Sequence, residues 1–424
     1  MDSLFSVKNV VFKSGERFPL LVTKITGVPL FDPTVFTMTE LRARNRANTT
    51  VEQVLRALKI FVQFCADNHI DLTNRMLNGE ILSLSELDTL SDLCRLYIED
   101  IESLSCRRTA EQESSSLMRL RPSAKVLSRQ VKSTSAGVRL GYISDYVRWL
   151  SDRCLLDMKA ESPFRSALYA NREIILSGIK ARIPSAKSRN NINNRTALDE
   201  TAQTRLWNII DVEATENPWT GRHTKVRNEL IVRWFMGLGI RRGELLGVKI
   251  SDIDFRANEV QIKRRANDPT DPRSRQPNAK TAARALPLSE DLARRTREYI
   301  IEERRCHRRA RKHEFLFVAN GGAPLSLRGL NKIFLNLRDR CLDLPNIFPH
   351  LFRHTFNFNF SNIADEQNID PEKEKKIRSQ LMGWSETSNT AEIYTRREIQ
   401  RKARRASIEL QNRMELPSDE PEEI

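Results

Sequence analysis

Residues 225–248, KVRNELIVRWFMGLGIRRGELLGV, decide how the chain is read. The stretch predicts a helix, a turn marked by Gly239, and the start of a second helix at ELLGV. Arg241 stands between the two, where packing can aim its guanidinium. Glu244 follows one turn later and can orient it. The plainer alternative is an arginine covering a helix terminus with its stem on apolar surface. The surrounding sequence has to choose between them.

Downstream, NEVQIK and ARALPL alternate like strands, with a long Pro/Asp/Arg loop between them. EFLFVANGGAPLS reads as a strand and turn, and LRGLNKIFLNLRDRC as a helix. Upstream, ALDETAQTRLWNII opens a helical unit. Before it, GIKARIPSAKSRNNINNR is polar, basic and poor in residues that could be buried, so it reads as a linker. Earlier still, TTVEQVLRALKIFVQFCADNHI carries a predicted capping box, Thr49 with Glu52. Val51, Val54, Leu55, Leu58, Phe61, Val62 and Cys65 then trace one apolar face. VRLGYISDYVRWLSDRCL buries Leu140, Ile143, Tyr146, Val147 and Leu150 in the same way. The first 38 residues hold short β-like pieces.

The expected division is an N-terminal appendage over 1–38 and a helical domain over 39–180. A basic linker follows over 181–195, a second domain over 196–400 and a tail over 401–424. The expected fold class is mainly α with a small antiparallel β-sheet in the second domain.

The chain has 424 residues, 39% of them hydrophobic, which is enough for two or three cores. A formal net charge of +15 favours polyanionic partners and salt-sensitive association. The six cysteines form no CxxC pair, so they read as small apolar residues in a reducing compartment. The N-terminus lacks a signal-peptide core, and no run is long and apolar enough to cross a membrane. The expectation is a cytoplasmic protein without a membrane partner. Between the two N-terminal helices, Lys125, Arg129 and Lys132 lie in a stretch poor in acids. This stretch reads as a disordered loop or a phosphate-contacting surface, the high positive charge favouring the second, and Arg242 joins them as a DNA-binding candidate.

No GxxxxGK[ST] loop is present, which argues against ATP use, and no cofactor is expected. His350 and His354 in HLFRH stand at i and i+4, but the Glu of HExxH is absent, so no metal site is expected. A site without metal must neutralise a phosphoryl transition state with fixed cations and hydrogen-bond donors. Besides Arg241, NIFPHLFRHTFNFNF offers His350 and Arg353 at i and i+3 amid phenylalanines. Lys280 in NAKTAARALPL is a third cation, on a turn where lysines are usually only solvated. GWSETSNTAEIYTRREIQRKARR adds Trp384, an indole donor, and Tyr394, a phenol that becomes a nucleophile once its proton is removed.

In this order the segments resemble the catalytic domain of tyrosine recombinases, the phage-integrase and Xer-like family. GLGIRRGELLGVKISDID looks like the family's first arginine box and selects Arg241 over Arg242. KTAARALPL is similar to the lysine motif and gives Lys280, 39 residues after Arg241, with Lys263 and Arg265 as rivals. HLFRHTF is similar to the HxLRHTF box, giving His350 and Arg353. LMGWSETSNTAEIYTRR resembles the tyrosine segment, with Trp384 where His is commoner. Its interval of ten residues to Tyr394 is one longer than usual.

The resemblance implies a helical core-binding domain that clamps DNA, followed by an α+β catalytic domain. It also implies a nucleophilic Tyr394, phosphate-holding Arg241 and Arg353, and acid–base roles for Lys280 and His350. Trp384 would support the site, and Glu244 and His354 would back the arginines. A homo-tetramer would act on two double-stranded DNA sites through a Holliday junction. Integration, excision or transposition of a mobile element would follow, with accessory DNA-bending proteins as further partners. The same residues would serve a telomere resolvase or a type IB topoisomerase. A sequence-specific DNA-binding protein that does not cut is the reading from another class, and it would have no need of Tyr394.

Overall fold

The computed structural model describes residues 4–104, 129–185, 197–279, 282–385 and 406–411. The chain divides into two compact units, Met1–Asn190 and Asn191–Ile424. The fold is mainly helical with two small antiparallel sheets.

In the first unit, strands Phe5–Val11 and Arg17–Thr23 form a seven-pair antiparallel hairpin running from Phe5↔Thr23 to Val11↔Arg17. The hairpin shares a core with the helices. Leu21 and Phe36 lie in one cluster with Leu55, Leu58 and Phe61 of the helix Asn48–Asp67, and with Ile143 and Val147 of the helix Ser133–Asp157. The hydrophobic periodicity seen in the sequence is the face that is buried. The expected Thr49 capping box does not form. The cap lies two residues earlier, at Ala47, and the helix begins at Asn48, so Thr49 lies within the first turn. Glu52 is then in place to accept from Arg56 at 2.8 Å. Burial pushes the thiols of Cys65 and Cys94 up to about 12, so both remain protonated at neutral pH. Cys306 of the second unit, by contrast, is exposed.

The second unit is built around the helix Arg222–Leu238. Leu230, Ile231, Val232, Trp234, Phe235 and Leu238 are all buried in it, because neighbours cover it on several sides. Trp234 donates its indole N–H to Thr296 Oγ1 at 3.0 Å, satisfying the one polar atom of a large apolar ring. Phe235 stacks on Phe352 with centroids 6.1 Å apart, and Phe334 lies 5.5 Å from Phe352. These contacts join the helix to Leu327–Arg340 and to Pro349–Glu366.

The sheet of this unit orders Ile253–Asp254, Glu259–Ile262 and Arg284–Pro287 side by side, all antiparallel. Its register pairs Val260 with Leu286 and Ile262 with Arg284. The expected strand at EFLFV is present only as two isolated bridges, Lys249↔Phe315 and Val318↔Pro324. Phe315, Leu316, Phe317 and Val318 are all buried, so this run enters the core without an alternating exposed face. No described helix is long and apolar enough to cross a membrane.

Candidate functional site

The helix Arg222–Leu238 ends on Gly239, whose φ of 57° lies in the left-handed region. That geometry suits glycine. A Cβ there would also stand 2.7 Å from the Phe356 ring and 2.9 Å from Met382 Cε, so only glycine fits beneath these side chains. The chain turns through Ile240 and starts the short helix Arg242–Gly247, leaving Arg241 at the cap position. The Arg241 side chain is 27% exposed, whereas Arg242 is exposed.

Glu244 organises this corner. Its carboxylate is buried and accepts the Arg241 backbone N–H at 2.9 Å and Arg284 Nη2 at 3.0 Å. A buried carboxylate needs such partners. Arg284 is only 6% exposed and donates its Nε to the Leu381 carbonyl at 2.7 Å. The Arg241 guanidinium stays further off, with Nη1 at 3.5 Å from Glu244 Oε1. That Nη1 is buried and makes no hydrogen bond among the described residues.

Arg353 reaches the same corner from the helix Pro349–Glu366. It is 1% exposed, donates Nη1 to the Gly239 carbonyl at 2.7 Å and donates Nη2 to the Met382 carbonyl at 3.1 Å. One guanidinium thus joins the turn before Arg241 to the end of the helix Pro371–Met382. Gly383 closes that helix in the left-handed conformation, with its N–H on the Gln380 carbonyl. Trp384 follows at once, its ring facing the Arg353 guanidinium at 5.3 Å, within cation–π range. Asn357 holds the other side, donating Nδ2 to the Arg353 carbonyl at 2.7 Å.

His350 shares the first turn of its helix with Pro349 and is exposed, while Arg353 one turn on is buried. The shared face expected from their spacing therefore tilts from solvent into the core. His350 and His354 meet edge to face with centroids 4.6 Å apart. Among the described residues no group of three or more His, Cys, Asp or Glu side chains is arranged to hold a metal ion.

Lys280 and Tyr394 lie outside the described residues, as do Lys125 and Cys106. The described residues on either side of Lys280 are held against the Arg241 corner. The Asn278 carbonyl lies where a Cβ on Gly243 would come within 2.4 Å, so the loop presses on the Arg241 helix. On the other side, Ala282 donates its N–H to the Gly383 carbonyl at 3.3 Å. The rivals are differently placed. Lys263 Nζ is 3.2 Å from Asp252 Oδ1, and Arg265 binds the same carboxylate. In the first unit, Arg129 donates its backbone N–H to Asp100 at 3.1 Å and lies 5.1 Å over the Tyr97 ring, and Lys132 is exposed at a helix cap.

Two residues of this corner escaped the reading of the sequence. Arg284 carries one faint signal: it falls on the same strand face as the buried Leu286 and Leu288, where an arginine must find a partner. Arg378 carries none, sitting in a lysine-rich helix. It is 1% exposed and donates to the Asn357 carbonyl at 3.2 Å and to Ser361 Oγ at 2.7 Å, and it pairs with Glu374. These bonds lock the helix carrying Met382 onto the helix carrying Arg353.

The arrangement is a set of cations held by packing around one tight turn. Residues 212–401 match the model of the phage integrase family. Over this stretch the chain is similar to tyrosine recombinases. A tyrosine recombinase XerC of Staphylococcus epidermidis is 28% identical over 131 residues, 31% of this chain and 39% of that protein. A tyrosine recombinase XerD of Halalkalibacterium halodurans is 26% identical over 190 residues, 44% of this chain and 55% of that protein. The match thus spans about two fifths to about half of these relatives' length. Among solved structures, the Tn1549 transposon integrase in complex with transposon right end DNA is 14% identical. It covers 88% of this chain and 100% of its own, with a TM-score of 0.44.

Proposed function

We propose that this chain is a tyrosine recombinase, a site-specific DNA recombinase that cuts and rejoins strands through a 3′-phosphotyrosine intermediate. What supports this reading above all is the Arg353 clamp, with its hydrogen bonds to the Gly239 and Met382 carbonyls at 2.7 and 3.1 Å. Those bonds hold Arg241 and Trp384 on either side of one buried guanidinium.

In this reading the Tyr394 phenolate oxygen attacks the scissile phosphorus. A P–O bond to tyrosine forms as the bond to the 5′ oxygen breaks. His350 takes the phenol proton, and Lys280 gives a proton to the departing 5′ oxygen. Arg241 and Arg353 steady the negative charge on the nonbridging oxygens, a task suited to the forked guanidinium. Glu244 and Arg284 keep Arg241 aimed, and Trp384 and His354 support the pocket. The phosphotyrosine ester conserves the energy of the broken bond, so an incoming 5′-hydroxyl can reverse the step without ATP. No metal is needed, because fixed cations meet the charge.

The helical residues 39–180 serve as the core-binding domain and 196–400 as the catalytic domain, joined by the basic linker 181–195. Residues 1–38 form an N-terminal appendage, and the tail 401–424 docks on a neighbouring protomer. Four protomers act on two double-stranded sites through a Holliday junction, with accessory DNA-bending proteins assisting. The reaction serves integration, excision or transposition in the cytoplasm. Lys125, Arg129, Lys132 and Arg242 contact the DNA backbone.

A nicked suicide duplex of the recombination site tests the chemistry. Wild type should form a covalent adduct with this DNA, destroyed by protease, that the Tyr394→Phe variant lacks. EDTA should leave its yield unchanged. Tight binding with no adduct from either protein would establish the non-cutting reading instead.

A further inference from the structure

A second basic surface lies at the far end of the unit from Arg241. Residues 304–312, RRCHRRARK, present Arg305, Arg308, Arg309, Arg311 and Lys312 to solvent. None of these five is in an ion pair among the described residues. Two neighbouring carboxylates hold partners outside the segment, and a third faces a cavity. Glu303 accepts from Arg222 at 3.1 Å, Glu314 accepts from Ser251 at 3.0 Å, and Glu302 lines a polar cavity with Glu298 and Arg295.

The segment is built to hold its shape. Arg304 is buried and donates to the carbonyls of Phe315, Ala310 and His313 at 3.0, 2.8 and 2.6 Å, stapling the loop from inside. Ala310 is fully buried beneath it. Gly322, with φ of 77°, lets the turn below come so close that a Cβ would meet His307 Cβ at 2.8 Å and Ala310 N at 2.9 Å.

Arg308–Lys312 is a 3₁₀ turn, in which side chains at i and i+3 eclipse. Arg308 and Arg311 therefore form one row and Arg309 and Lys312 a second, with partners about 6 Å apart along the axis. Fixed like charges at that spacing repel, and a polyanion laid across them relieves the repulsion.

We infer that this 304–312 knuckle contacts the phosphate backbone of duplex DNA outside the cleaved core. The inference rests on the recombinase reading for its choice of polyanion. The knuckle joins the start of the helix Arg222–Leu238, where His223 and His307 rings meet at 4.2 Å. Gly239 and Arg241 lie at the other end of that helix. Seventeen residues at 1.5 Å each put about 25 Å between the ends, on the order of seven base pairs of duplex. A contact here engages DNA that flanks the exchange site.

The test compares wild type with a variant carrying R308Q, R309Q, R311Q and K312Q, both as the full chain. Binding is measured by anisotropy on a core-length duplex and on one extended by about 15 base pairs at each end, between about 50 and 200 mM salt. On the extended duplex the slope of log K against log salt should be shallower by about 2 to 4 in the variant. On the core duplex the two proteins should agree. A companion with R308K, R309K and R311K keeps the charge and should restore the wild-type slope.

Equal slopes on the extended duplex would overturn the proposal, as would an equal change on both duplexes, which marks only a general field. Loss of binding to a polyglutamate peptide with DNA slopes unchanged would assign the surface to an acidic protein. Retention of the adduct on a core suicide duplex shows that the variant folds. A wild type without any adduct defeats the recombinase reading, while the slopes are read independently of cleavage.

Discussion

Two buried carboxylates in the second unit each face two cations, and they treat them differently. Asp252 holds both of its cations directly, Lys263 at 3.2 Å and Arg265 in a closer pair, and it also accepts the Lys249 N–H at 2.8 Å. Glu244 gives its close contact to Arg284 at 3.0 Å and leaves the Arg241 guanidinium 3.5 Å away. The charge at Asp252 is internally neutralised, whereas at Glu244 one cation satisfies the carboxylate and the other is only oriented by it. A neutralised pair contributes little to an outside anion. The Arg241 guanidinium is aimed by the fold without being consumed by its carboxylate, and part of its desolvation has already been met.

This contrast can be broken by exchange of roles. Arg241→Gln should lower the rate of covalent adduct formation by about 10²- to 10³-fold, the usual loss for a fixed donor at a developing charge. Arg265→Gln should leave that rate within about twofold. Equal losses at both positions would mean that the Asp252 cluster works on DNA too.

Arg284→Met should come next in size. It removes the close partner of a buried carboxylate, so urea unfolding should show about 3 kcal/mol less stability. Arg241 then becomes the nearest cation to Glu244 and is drawn onto it, so the adduct rate should fall more than the loss of folded protein explains. A variant with normal rate per folded molecule would show that Arg284 only braces the fold.

The smallest effect belongs to Lys263→Gln. That side chain is 47% exposed, its pair is screened by solvent, and Arg265 remains on Asp252. The expected stability change is about 0 to 1 kcal/mol, with adduct formation unchanged. A loss of adduct here would transfer the lysine role from Lys280 to Lys263.

The helices were legible because their apolar residues repeat with the helical period, as the buried Leu140, Ile143 and Val147 show. The Gly239 turn was legible because glycine marks a helix end. The Thr49 cap was misread because a local pattern cannot say which of several adjacent residues starts a helix. The EFLFV strand was misread because a short apolar run suits any buried segment. Neighbouring motifs favour Arg241 over Arg242; the first is partly buried and the second exposed. Arg284 and Arg378 stayed hidden because their partners, Glu244, Leu381, Asn357 and Ser361, come from distant parts of the chain. Burial of a charge is a property of the assembled unit, and one sequence does not carry it locally.

The bond from Arg353 to the Gly239 carbonyl spans 114 positions of the chain. During synthesis, Arg241 leaves the ribosome well before the residue that secures its turn. A nascent chain that ends short of residue 353 owns the first arginine but has no second one to brace it, and one that ends short of Met382 lacks the outer anchor. The corner therefore closes late, after a large loop has been drawn together against its entropy. Truncated translation products carry the basic residues of the chain without a finished Arg353 clamp, so premature release yields chains in which Arg241 has no second arginine to brace its turn.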